Sequence, residues 1–199
     1  MKSLRIALAA GLIGLLSAPL AAQSSGSSFG SDSDQFLQAV QKRDGDKATQ
    51  LITNHPTIIN AKDSKGDTGL IIAIRGADSD WTAFLLNKGA DPNMQGANGD
   101  TPLITAAKSG LEEAIPWLLG LGAKVNATNK MGETALIIAV QQRDERLVKA
   151  LLDAGADPDH ADAAAGYSAR DYATRDPRAR DILKMIEAKK PKPGSSAAN

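Results

Sequence analysis

The sequence predicts an all-α solenoid of about five helix-turn-helix units joined by hairpin loops. Glycines recur every 33 residues, at Gly66, Gly99 and Gly132, and a threonine stands two residues after each of them. Further along each unit, a Leu-Leu pair precedes a second glycine. Units of this length cannot bury their apolar faces alone. A fixed period therefore indicates that neighbouring units stack and share a continuous core.

Each of the three central units carries signals for two short helices. The threonine precedes an apolar stretch, where its hydroxyl can cap the first helix, and Pro102 fits the first helical position. The second helix carries the Leu-Leu pair and ends at a glycine such as Gly122, a residue that adopts the left-handed conformation readily. The three units span residues 63–95, 96–128 and 129–161.

The units at the two ends are degenerate copies that we interpret as caps. Phe36 and Leu51 reproduce apolar positions of the repeat at an offset of 34 residues, which places a first unit at residues 34–62. Downstream, residues 162–188 form a fifth unit in which Arg170 takes the place of an apolar leucine. Terminal repeats need a polar outer side, so this substitution suits an exposed end.

The two chain termini predict export and a polar tail. Lys2 and Arg5 precede an apolar run that ends at Ala21-Ala22, which is typical of a secretory signal peptide over residues 1–22. An uncleaved membrane anchor is the alternative, but the run is shorter than the ~20 apolar residues that span a bilayer. We expect a periplasmic protein or, alternatively, a secreted one. We expect residues 23–33 to form a flexible Ser/Gly spacer and residues 189–199 to form a disordered basic tail.

Composition argues against several classes of function. Basic and acidic residues are equal in number and only 4% of the residues are aromatic, so a nucleic-acid surface is not expected. Loss of residues 1–22 leaves a formal charge of −2. The chain has no cysteine, which suits an oxidising compartment. We expect a monomer with no stable membrane insertion after signal cleavage.

Few residues are candidates for chemistry. His55 and His160, the only histidines, stand in connections several units apart. Asp157, Asp159 and Asp162 lack the central glycine and bidentate glutamate of a calcium loop, so we interpret them as hairpin residues. The sequence contains no phosphate-binding loop and no zinc-protease motif. We therefore predict no catalytic residue, no cofactor and no metal, and a protein that is not an enzyme.

The two tryptophans and one proline fall within predicted second helices. Trp81 aligns with Ala114 and Leu147 on the apolar side of that helix, and we expect it in the core. We expect the same of Trp117. Pro116 should bend its helix unless it lies in the first turn, because it cannot donate a backbone hydrogen bond.

The repeated motifs resemble the ankyrin repeat. The openings Gly-Asp-Thr-Gly-Leu-Ile, Gly-Asp-Thr-Pro-Leu-Ile and Gly-Glu-Thr-Ala-Leu-Ile match its G-x-T-P-L-H pattern, and Gly-Ala-Asp-Pro-Asn matches its G-A-D-x-N ending. The resemblance covers residues 34–188 and implies an ankyrin-repeat domain there. One departure recurs, because isoleucine replaces the histidine of the pattern, which implies greater reliance on apolar contact. The positions concerned are Ile71, Ile104 and Ile137.

The resemblance also implies a function and a surface. Ankyrin repeats bind other proteins through a concave face formed by hairpin tips and first helices, so we expect a non-catalytic module with an unidentified protein partner. A secreted effector that binds a host protein is the alternative, and a face that binds nothing specific remains open. By alignment, the candidate protein-binding residues are Ser64, Lys65, Asp67, Arg75, Ala97, Asn98, Asp100, Lys108, Lys130, Met131, Glu133, Gln141 and Tyr167.

Overall fold

The computed structural model describes residues 30–189, which fold into ten α-helices and no β-strand. The predicted signal peptide, most of the predicted spacer and the tail beyond Lys189 lie outside the described residues. The helices are α1 (Asp32–Lys42), α2 (Gly45–Asn54), α3 (Gly69–Arg75), α4 (Ser79–Asn87), α5 (Pro102–Ser109), α6 (Ala114–Gly120), α7 (Ala135–Gln142), α8 (Glu145–Asp153), α9 (Ala169–Arg175) and α10 (Arg180–Ala188).

The helices form a solenoid of paired units, as the period predicts. The odd-numbered helices α1, α3, α5, α7 and α9 pack side by side and are called the inner helices below. The even-numbered outer helices each pack against the inner helix of their own unit, and α4 packs on α6 as α8 packs on α10. The predicted all-α repeat architecture is confirmed.

Threonine caps begin the inner helices of the three central units. The hydroxyl oxygens of Thr68, Thr101 and Thr134 accept hydrogen bonds from backbone N–H groups three residues ahead, at 3.2–3.3 Å. Each of those N–H groups belongs to the isoleucine that replaces the motif histidine, and each isoleucine side chain is fully buried. Apolar packing takes the place of the histidine, as expected.

Asparagines in the loops after the outer helices clamp each unit to the next. The Oδ1 atom of Asn93 accepts a hydrogen bond from the backbone N–H of Lys124 at 2.8 Å, and its Nδ2 donates to the carbonyl of Gly122 at 3.0 Å. Asn60 and Asn126 accept equivalent bonds from Asp91 and Asp157. These bonds fix the spacing of successive units independently of the core.

The first helix begins earlier than the sequence suggests. The side chain of Ser31 caps α1 and forms a capping box with Asp34. Residues 32 and 33, assigned to the spacer from their composition, therefore belong to the first turn of α1. A hydroxyl followed by an acid three residues later is a helix-start signal that outweighs local Ser/Gly content here.

Pro116 does not bend its helix, because α6 begins at Ala114 and places the proline in the first turn. Aspartates cap the outer helices α2, α4 and α8, whereas the corresponding residue of the third unit is Leu111. Without that cap α6 starts later than α4 and α8 and has 7 residues where they have 9. Proline costs no hydrogen bond at this position.

The core runs through the whole array, and one predicted core residue is missing from it. Leu118 is fully buried and Trp81 is 7% exposed, stacked edge-on against Phe84. Trp117, by contrast, is 37% exposed, so its assignment to the core is wrong. Within residues 30–189 no helix has the length and apolar character required to cross a membrane.

Candidate functional site

The hairpins of successive units are joined into one continuous strip. The backbone N–H of Lys130 donates to the carbonyl of Asn98 at 2.9 Å, and the N–H of Ala163 donates to the carbonyl of Met131 at 2.8 Å. We call the exposed residues of the hairpins and inner helices the inner face. Backbone bonds thus join the hairpins of the third, fourth and fifth units, and the side chain of Asp67 joins the second hairpin to the third through the N–H of Ala97.

The structure places most of the predicted binding residues on this face at different depths. The exposed ones are Ser64, Lys65, Arg75, Asn98, Lys108, Lys130, Met131 and Gln141, and the half-buried ones are Ala97, Glu133 and Tyr167. Asp67 and Asp100 are buried, at 1% and 8% exposure, so their carboxylates are not presented to a partner. Both have internal partners instead.

Asp67 joins its own inner helix to the next hairpin. Its Oδ2 accepts a hydrogen bond from the Arg75 guanidinium, and its Oδ1 accepts one from the backbone N–H of Ala97 at 2.8 Å. The Arg75 bond lowers the pKa of Asp67, and the Ala97 bond acts in the same direction. Gly96 permits this approach, because a Cβ at that position would lie 2.5 Å from Oδ1 of Asp67.

Asp100 is the centre of a polar network between the third and fourth units. Its Oδ1 accepts hydrogen bonds from Lys108 Nζ at 2.9 Å and from Asn129 Nδ2 at 2.9 Å. Asn129 also donates to Glu133 Oε2 at 2.8 Å, and Lys108 Nζ lies 3.4 Å from the same oxygen. The acidic hairpin residues thus hold the lysine in place and leave part of it exposed.

The fifth unit replaces the ion pair with an aromatic contact. Arg175 lies over the ring of Tyr167 with its Cζ 3.9 Å from the ring centroid. Tyr172 meets the same ring edge-on and donates its hydroxyl to Asp162 Oδ2 at 2.7 Å, which raises the pKa of Tyr172. Sequence reasoning missed Arg175 and Tyr172. The eight-residue separation of Asp67 and Arg75, repeated in Tyr167 and Arg175, was the available signal.

The residues considered for catalysis or metal binding are not brought together. His55 is exposed beside Asp32 Oδ2 at 3.1 Å, and His160 is exposed in the loop before the last unit. Among residues 30–189 no three acidic or histidine side chains are grouped to hold a metal ion. The Nε of Arg170 donates a hydrogen bond to Oδ1 of Asp159 at 2.6 Å, so this acid has a basic partner within the chain.

An apolar groove lies on the outer helices, and the repeat pattern does not predict it. Trp117 and Leu121, the latter 55% exposed, line it together with Leu86 and Pro116, and its volume is about 440 Å³. The corresponding residues of the fourth unit are Ala150 and Ala154. The groove lies between the outer helices of the second and third units, and a second groove of about 320 Å³ lies between those of the third and fourth units.

Comparison with known proteins agrees with the repeat assignment. A family model for ankyrin repeats, in three copies, matches residues 36–129 and, in an overlapping match, residues 84–162. A search of curated proteins gives no significant match.

Proposed function

Because the chain belongs to the ankyrin-repeat family, we propose that it is a non-catalytic periplasmic module that binds a protein partner through its inner face. Ankyrin repeats indicate a protein-protein interaction module.

The observation that carries the choice of face is its fixed geometry. The hairpins of the third to fifth units are linked by backbone hydrogen bonds, the second is linked to the third by Asp67, and the side chains of Arg75 and Lys108 are held by buried carboxylates. Immobilising a free side chain on binding costs about 0.5–1.5 kcal/mol, so groups that are already held retain more of their contact energy. Met131 and Tyr167 add apolar area to the fourth and fifth units of the same face.

The titratable groups of this face support binding rather than catalysis. Asp67 is paired with Arg75 and Ala97, and Asp100 with Lys108 and Asn129, and both carboxylates are buried, so neither is presented to a substrate as a general base. We expect the change of both histidines, His55 and His160, to alanine to leave fold and binding unchanged. A catalytic activity lost in that variant would contradict the proposal.

Residues 1–22 support the compartment, since their basic start, apolar run and small-residue end are those of a signal peptide. A secreted effector with a host-protein partner would have the same fold and a different destination. Fractionation separates the two, because the effector would accumulate in the medium and the periplasmic module would not.

Affinity capture tests the inner face directly. The processed protein is immobilised and exposed to periplasmic extract, and retained proteins are identified by mass spectrometry. A Lys130→Ala, Met131→Ala, Tyr167→Ala variant should lose a specific partner while its circular dichroism remains that of a folded solenoid, because truncated contact residues cost about 1 kcal/mol or more each. Its melting temperature should fall somewhat, since the Tyr167 ring packs on Arg175 and Tyr172. The matched control is Lys124→Ala with Leu121→Ala, which lie away from this face. A partner lost in the control and kept by the triple variant would move the site elsewhere.

A further inference from the structure

The charges of the inner face are sorted by depth. Asp67 and Asp100 are buried, whereas the side chains of their partners Arg75 and Lys108 are 50% and 33% exposed. Glu133 is half-buried against Asn129. On the inner face of the second to fourth units the acids therefore lie deeper than the bases, and the exposed acids of the inner helices, Asp32, Asp34 and Asp171, lie on α1 and α9 at the two ends of the array.

Further cations lie at the hairpin tips and at the end of the array. Lys65 and Lys130 are exposed, and neither forms an ion pair with any group of residues 30–189. Arg175 is exposed above the Tyr167 ring. Cations thus occupy the inner face from the second unit to the fifth.

Hydrogen-bond donors and acceptors of the inner face are also separated by depth, with the donors outermost. Lysine and arginine side chains only donate, and carboxylates only accept. The carboxylate oxygens of Asp67 and Asp100 already accept bonds from Ala97, Asn129 and the two basic side chains. A partner that approaches this face meets unsatisfied donors, and carboxylates are the side chains that satisfy such donors most strongly.

Taking the proposed protein-binding function as the starting point, we propose that the segment bound by the inner face is an extended peptide rich in aspartate and glutamate. Packed helices lie about 8–10 Å apart, so cations of successive inner helices recur at that spacing. An extended chain in the polyproline II conformation covers the same distance in about three residues, at ~3.1 Å each, and its three residues per turn bring every third side chain to the same side. Acidic residues at every third position would meet one unit after another. Arg175 lies over one face of the Tyr167 ring, so that face is not available for stacking a nucleic-acid base.

The test uses a fluorescein-labelled peptide of about twelve extended residues with glutamate at every third position, a length that spans four units. Its binding to the processed protein is measured by fluorescence anisotropy. We expect saturable binding that weakens between about 50 and 300 mM salt, because exposed charges are screened over that range. The same peptide with lysine in place of glutamate should not bind.

Two charge-reversal variants separate a local site from overall charge. Lys65→Glu with Lys130→Glu should weaken binding by about tenfold or more, and the melting transition should stay unchanged because neither lysine has a partner to lose. Lys124→Glu with Arg146→Glu makes the same change in net charge on exposed residues away from the inner face, and should alter affinity by less than about twofold. Equal weakening in the two variants would overturn the assignment.

Other outcomes distinguish this proposal from the one on which it rests. If a captured partner depends on Met131 and Tyr167 but the glutamate peptide does not bind, the acidic class is wrong and the protein-binding function stands. If a single-stranded oligonucleotide or vesicles containing phosphatidylserine bind more tightly than the peptide, the peptide assignment is overturned in favour of another polyanion.

Discussion

Asp67→Ala should lower the free energy of unfolding more than any substitution of an exposed residue on the inner face, because it weakens the junction between the second and third units. The substitution removes two charge-assisted hydrogen bonds, to the Arg75 guanidinium and to the backbone N–H of Ala97. Bonds to charged groups contribute about 1.5–3 kcal/mol each. Since half of the Arg75 side chain is exposed and can be rehydrated, we place the total loss near the low end, at about 3 kcal/mol.

Urea unfolding followed by far-ultraviolet circular dichroism measures this loss. The matched control is Lys65→Ala, in the same hairpin and predicted from the sequence to serve the same surface. Lys65 is exposed and unpaired among the described residues, so its loss should stay within about 0.5 kcal/mol. Equal losses in the two variants would refute the structural role of Asp67.

The hydrogen-bonded ion pair of Asp67 and Arg75 predicts that the free energy of unfolding depends on pH. Because the pKa of Asp67 is lowered in the folded protein, the unfolded chain binds its proton more readily, and the stabilisation is present above the ordinary value of about 3.9. It is lost as the pH falls below that value towards the folded pKa. The stability difference between wild type and Asp67→Ala should therefore be smaller at about pH 3 than at pH 7. A constant difference would contradict the ion pair.

Three further experiments test the fold and the export of the protein. Leu118→Ala should cost about 2–5 kcal/mol in a urea melt because its side chain is fully buried, whereas Trp117→Ala, next to it but part-exposed, should cost less than about 2. Ala77 has a φ of 51°, so Ala77→Gly should stabilise the protein by about 0.5–1 kcal/mol, and a loss in the melt would contradict that conformation. N-terminal sequencing of the periplasmic fraction should begin near Gln23, and an intact Met1 in the cytosol would exclude cleavage.

The repeat made the architecture predictable because it combines local signals with a long-range one. Thr101 begins a helix through its own hydroxyl, and Gly122 ends one through its backbone freedom, with φ of 86°. Both effects act within a few residues and can be derived from sequence alone. Their recurrence at one spacing then fixes which helices are neighbours.

Whether a side chain of the inner face is buried or exposed does not follow from its position in the repeat. The alignment groups Asp67 with Lys65 as hairpin residues, yet the first is buried and the second exposed. What separates them is a partner eight residues away in sequence and a glycine in the next unit, Gly96, that leaves room for the carboxylate. Those contacts depend on how two units dock, and a single unit does not contain that information.

Trp117 shows how one altered unit changes what a shared position does. Its counterparts are Phe84 in the second unit, a half-buried ring packed against the core, and Ala150 in the fourth unit, an exposed methyl group, so burial at this position differs from unit to unit. The third unit also lacks the aspartate cap, because Leu111 stands in its place, and α6 starts late at Ala114. On this shortened outer helix the Trp117 ring is 37% exposed and lines the groove beside Leu121. The exposed groove follows from these substitutions together, and a period that aligns positions without their neighbours cannot reveal it.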